Sequence, residues 1–101
     1  MVNKRIVVWD KRAFEQFNEI YNSLKVNENL SFATKVKNTI LKSTNELIYT
    51  PEIYEQDRFK VDNDGTYRAF EKFKYRIAYR ITETQIRILR VRHTSREPMN
   101  Y

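Results

Sequence analysis

The stretch that most limits what this chain can become is its last third, residues 66–101, where strand-like alternation and positive charge coincide. Tyr75, Ile77, Tyr79 and Ile81 alternate with Arg76, Ala78 and Arg80, the period-two pattern of a half-buried strand with its basic positions on one face. Ile86–Arg92 forms a second such strand after a turn over Thr82–Gln85. Its alternation breaks in the middle, because Ile86, Ile88, Arg90 and Arg92 share one parity while Leu89 and Val91 take the other. A β-bulge, or a central position buried on both faces, accounts for that break. Nine basic side chains stand in this third against Glu71, Glu83 and Glu97, a surplus of six that equals the formal +6 of the whole chain. The first 65 residues are neutral, so they read as a scaffold behind a charged sheet surface suited to phosphate or carboxylate.

The scaffold has its own periodicities. Lys4–Trp9 is rich in β-branched residues and predicts a strand, with Asp10 as the N-cap of a following helix. Phe14, Phe17, Tyr21 and Leu24 place an apolar stripe on that helix, Lys11 to about Lys25. Asn27-Glu28-Asn29 forms a turn. Ser31 is positioned to cap a second helix carrying Phe32, Val36, Ile40, Leu47 and Ile48 up to Tyr49, stopped by Pro51. Two amphipathic helices so joined make a hairpin whose apolar face needs a sheet to cover it. Glu52–Gly65 has no period, ends in the turn signal Asp62-Asn63-Asp64-Gly65, and reads as a loop entering the sheet. The expected fold class is α+β: an N-terminal strand, a helical hairpin, then antiparallel strands forming one small twisted sheet.

With 101 residues, a single domain over the whole chain is expected. No cysteine is present, which excludes disulfides and thiolate metal sites and fits a reducing, cytoplasmic setting. The longest apolar run near the N-terminus, Ile6–Trp9, is too short for a signal segment or a membrane span. Lys60–Glu71 matches a calcium loop only at Asp62, Asp64, Gly65 and Glu71; Lys60 stands at the first ligand position, and a turn is the better reading. No phosphate-binding glycine loop, serine-hydrolase elbow or zinc motif occurs, so neither a cofactor nor a metal is expected.

The candidate functional residues are basic. Arg68, Arg76, Arg80, Arg90 and Arg92 are read as one anion-binding face, since guanidinium forks match phosphate oxygens bidentately. His93, the only histidine, stands beyond the last strand as a general acid or base, or as a hydrogen-bonded edge residue. Phe70, taken as an exposed strand aromatic, offers a surface on which bases can stack.

A strand, a helical hairpin and three strands with an arginine-rich end resemble the RelE/ParE superfamily of type II toxin–antitoxin toxins over nearly the whole length. The resemblance is carried by Tyr75-Arg76-Ile77-Ala78-Tyr79, by Ile88–His93, and by Arg96-Glu97-Pro98. It implies one of two activities, cleavage of mRNA on the ribosome or inhibition of DNA gyrase, and a cognate acidic antitoxin laid over the same surface. The resemblance leans toward the metal-independent endoribonuclease. In that case Arg76 and Arg96 stabilise charge on the phosphorane, His93 or Tyr101 moves protons, and Arg68, Lys72, Lys74, Arg80, Arg90 and Arg92 bind nucleic acid or antitoxin. Position 70, where ribosome-dependent members often keep a second basic residue, is Phe70. A basic RNA-binding module without catalysis is the third reading.

Overall fold

The structure, a computed structural model, describes residues 4–96, 100 and 101. Glu97 and Pro98 of the closing motif lie outside the described residues. The elements run β1 (Ile6–Trp9), α1 (Lys11–Asn27), α2 (Leu30–Glu46), β2 (Tyr67–Lys72), β3 (Tyr75–Ile81) and β4 (Gln85–His93). The sheet order is β1-β4-β3-β2, with β1 parallel to β4 and the other pairs antiparallel. This is the expected α+β arrangement, in which the first strand closes against the last.

The helical hairpin covers one face. Its core joins Ala13 and Phe17 of α1 and Val36 and Ile40 of α2 to Phe70, Ile77, Tyr79, Ile86, Ile88 and Val91 of the sheet. Several details depart from the sequence expectation. Phe14 points to solvent, and Ala13, Phe17, Ile20 and Leu24 form the packed stripe instead. Asn29, not Ser31, caps α2 by accepting the Phe32 N–H at 2.8 Å. Asp10 occupies the N-cap position of α1 but makes no side-chain cap; its carboxylate is taken by Arg87 across the sheet. Helix α2 ends at Glu46 and continues to Tyr49 only as turns. Phe70 is buried and stacked on Tyr54 at 4.4 Å, so it is core and not a platform for bases.

The broken alternation in the last strand is a bulge. Ala78 pairs with Arg90 and Tyr79 with Ile88, so Leu89 is the extra residue. It restores parity: Ile86, Ile88 and Val91 all reach the core while Arg90 and Arg92 go to the opposite face. Gln16 Oε1 accepts the Val91 N–H at 2.9 Å just beyond the bulge. We expect Gln16→Leu to strand that amide and to lower stability by about 1–3 kcal/mol. Urea melts together with amide exchange at Val91 measure this; an unchanged exchange rate would contradict the assignment.

Strands β2 and β3 are joined by a two-residue turn, Phe73-Lys74, with φ of 52° and 71°. Both are left-handed, the conformation that two-residue hairpin turns need and that Asn-Gly supplies most readily. Non-glycine residues there lose roughly 1–2 kcal/mol each to Cβ–carbonyl contact. Replacing Phe73-Lys74 by Asn-Gly should therefore raise stability by about 1–2 kcal/mol. A lower denaturation midpoint in the variant would show that the aromatic contact of Phe73 outweighs the strain.

Candidate functional site

Side chains paired across antiparallel strands share a face, so the register sorts the basic residues. Arg76 lies opposite Glu71 and Arg92, Arg80 opposite Tyr67 and Arg87, and Ala78 opposite Ala69 and Arg90. Arg76, Arg80, Arg87, Arg90 and Arg92 thus occupy the face away from the helices. Arg68 does not: it pairs with Tyr79, on the helix side, and its Nη1 donates to the Tyr54 carbonyl at 2.8 Å. Lys72 pairs with Tyr75 on that same side, and Lys74 sits in the hairpin turn. The five-arginine face read from sequence therefore loses Arg68 and gains Arg87.

Two cross-strand pairs set arginine directly against arginine, Arg76 with Arg92 and Arg80 with Arg87. Like charges in that position are unfavourable. The sheet offsets them with acids from elsewhere: Asp57 and Glu71 at Arg76, Asp64 at 3.9 Å from Arg80, and Asp10 at Arg87.

Asp57 organises the centre. Its side chain is fully buried and accepts three hydrogen bonds: from Arg76 Nη2 at 2.9 Å, from the Tyr101 hydroxyl at 2.7 Å, and from the Phe59 N–H at 3.1 Å. Burial alone would raise its pKa, but the Arg76, Tyr101 and Phe59 hydrogen bonds outweigh burial and hold the carboxyl below the usual range. Backbone bonds fix the same arrangement. The Tyr101 N–H donates to the Phe59 carbonyl at 3.0 Å, the Val61 N–H to the Tyr101 carbonyl at 2.6 Å, and the Asp57 N–H to the Tyr67 carbonyl at 2.8 Å. Ala69 and Ala78, buried although they belong to the open face, leave room for this crossing segment.

Aromatic rings alternate with cations over the open face. Arg80 lies 4.8 Å from the centroid of Tyr67, Lys60 4.6 Å from the same ring and 5.5 Å from Tyr101, and Arg90 4.2 Å from Tyr101. Beside them runs a groove of about 810 Å³, lined among others by Arg12, Lys60, Arg90, Arg92, His93 and Arg96. Burial lowers the pKa of Arg90, which nevertheless stays charged at neutral pH. Burial and the Asp57 carboxylate push the Tyr101 hydroxyl well above the ordinary phenol value, so at neutral pH it can donate a proton but not take one.

Of the residues singled out for catalysis, Arg76 and Tyr101 meet on Asp57, while Arg96 lies exposed in the bend after β4. His93 belongs to the helix-facing parity opposite Tyr75, and its Nδ1 accepts the Ser95 N–H at 3.0 Å, leaving Nε2 for any proton transfer. Sequence reasoning missed Asp57, Lys60 and Arg12. Asp57 and Lys60 lie in the aperiodic segment and Arg12 on a helix read as solvated; an acid among aromatics, Tyr54-Glu55-Gln56-Asp57-Arg58-Phe59, was the one available signal.

An α+β domain with a helical hairpin on one side of its sheet and clamped arginines on the other matches the family model for ParE toxins of type II toxin–antitoxin (parDE) systems over residues 7–98, and the chain belongs to that family. Among solved structures it is similar to the chromosomal ParDE toxin–antitoxin system of P. aeruginosa, with a TM-score of 0.73 at 16% identity, covering 94% of this chain and 100% of the other. It is also similar to the RelBE2 toxin–antitoxin complex of Mycobacterium tuberculosis (TM-score 0.62, 17% identity, 89% and 98% covered). The YoeB dimer of Staphylococcus aureus gives 0.58 at 14% identity, with 89% and 97% covered. No curated protein matches the sequence. Among the described residues no helix is long and apolar enough to cross a membrane.

Proposed function

We propose that this toxin acts by binding, as an inhibitor of DNA gyrase, and that an acidic segment of a cognate antitoxin neutralises it on the arginine face. The observation that carries this reading is the Asp57 clamp. Arg76 is already engaged by Asp57 and Glu71, and the Tyr101 hydroxyl is held protonated by the same carboxylate. A nuclease working without metal needs a group ready to take the ribose 2′-hydroxyl proton, and this arrangement disfavours Tyr101 in that part. A docking surface needs no such group. The cations that remain around the groove, Lys60, Arg90, Arg92 and Arg96 together with Arg80, then serve carboxylates of the antitoxin.

Ribosome-dependent mRNA cleavage is the second reading. It is favoured by one feature, the convergence of Arg76, Arg90 and Tyr101 around a buried acid beside a basic groove. A gyrase supercoiling assay run beside an in vitro translation reaction with mapped mRNA ends separates the two. We expect blocked supercoiling and intact mRNA. Codon-phased cuts that disappear in Arg76→Ala, with supercoiling untouched, would transfer the assignment to the nuclease.

A further inference from the structure

At one end of the molecule, away from the arginine face, the β2–β3 turn meets the link between the helices and builds an apolar knob. Phe73, 37% exposed, packs edge-on against the ring of Phe32 in the first turn of α2, centroids 6.0 Å apart, and Phe32 is itself 37% exposed. Leu30 and Val26 of the interhelical link are 60% and 83% exposed. The two segments are also joined electrostatically, since Glu28 helps burial to raise the pKa of Tyr75, the residue after the turn. Folding explains little of this. The turn would close with less strain on Asn-Gly, yet an aromatic is held at φ 52° and left half in water.

From these observations we propose that the knob formed by Phe73, Phe32 and Leu30 is the surface with which the toxin grips its protein target, an apolar pocket with an acidic rim. The occupant's chemistry follows from the flanks. Phe73 stands between Lys72 and Lys74, with Glu28 the acid on the neighbouring link, so a partner that buries the ring meets ammonium groups on both sides. Large aromatics seated in a pocket with a charged rim dominate interfaces of this kind. The proposal rests on the reading that the toxin acts by binding a protein. It gives target and antitoxin separate surfaces: the knob for one, the arginine face for the other.

Two variants test it. Phe73-Lys74→Asn-Gly removes the ring and relieves the turn. Leu30→Glu changes an exposed residue at a helix N-terminus, where an acid is welcome to the fold, and sets a negative charge before an acidic rim. Each is measured for thermal midpoint, for affinity to the antitoxin, for growth arrest on expression, and for the concentration that halves gyrase supercoiling. We expect a midpoint equal to or above wild type, antitoxin affinity within about threefold, loss of growth arrest, and at least a tenfold higher inhibitory concentration. Folded variants that arrest growth like wild type would overturn the proposal, and so would variants that lose antitoxin binding in parallel. If the wild type leaves gyrase untouched, the gyrase reading fails on its own, and growth arrest by the variants still decides whether the knob is the gripping surface. Should the turn variant fold poorly, Leu30→Glu alone carries the decision.

Discussion

Asp57→Ala should lower the stability of this toxin by about 3–5 kcal/mol, because it strips a buried ion pair of one partner and leaves the Arg76 guanidinium with Glu71 alone. Against the roughly 5–15 kcal/mol that a domain of this size has in total, the loss removes a third or more of the margin. The Tyr101 hydroxyl and the Phe59 N–H lose their acceptor in the same step. Asp57→Asn is the informative companion, since it retains an acceptor and removes the charge. The pH dependence separates them further. The folded-state pKa of Asp57 lies below its ordinary 3.8, so the stability it contributes is fully present above that value and is lost as pH falls through the depressed one. Urea melts from pH 7 down to pH 2 should therefore show wild type losing stability across the acid end and Asp57→Asn losing less of it. A loss below about 1 kcal/mol in Asp57→Ala at pH 7 would mean that the clamp is ornamental and that the arginine face is held by something else.

The second large effect concerns the opposed arginines. Arg80→Ser combined with Arg92→Ser should weaken antitoxin binding by roughly 10²–10⁴-fold, taking about 1.5–3 kcal/mol for each charge-assisted hydrogen bond removed. The free toxin should not suffer correspondingly. Each substitution takes one member out of a like-charge pair, Arg80 facing Arg87 and Arg92 facing Arg76, and such pairs oppose the sheet by a few tenths to about 1 kcal/mol. Binding by titration calorimetry at several salt concentrations, with denaturant melts of the toxin alone, reads both halves. Affinity should fall and lose part of its salt dependence, while the melt moves little or upward. If toxin stability fell as steeply as affinity, the arginines would be structural and the surface would owe its charge to the fold.

Periodic segments were readable from sequence because a repeat reports a face. The alternation of Tyr75–Ile81 and the spacing Val36–Ile40 correctly located β3 and the buried side of α2, and the broken parity around Leu89 located the bulge. Where the reading went astray, the deciding contact was distant in sequence. Arg68 was grouped with Arg76 by composition, yet its side is set by a register with Tyr79 that depends on the Phe73-Lys74 turn being two residues long. Phe14 yielded its place to Ala13 because the tight approach of α1 to the sheet favours a small side chain over a ring. Asp57 sits in a segment with no period, and its partners are 19 and 44 residues away, so nothing local announces that it is buried. The candidate site was therefore visible as a set of charges but not as an arrangement, which an acid from the unstructured stretch supplies.

The pairing of the first strand with the last has a consequence for the order of events during synthesis. Ile6 finds its neighbour at Gln85 and Trp9 at Ile88, so the sheet stays open until nearly the whole chain has left the ribosome. The helical hairpin, built from local contacts, can form well before that. Arg90 and Arg92 arrive on the same late strand, and Tyr101 settles on Asp57 later still. An emerging chain is thus harmless by construction, and its charged face is assembled in the last seconds of its making.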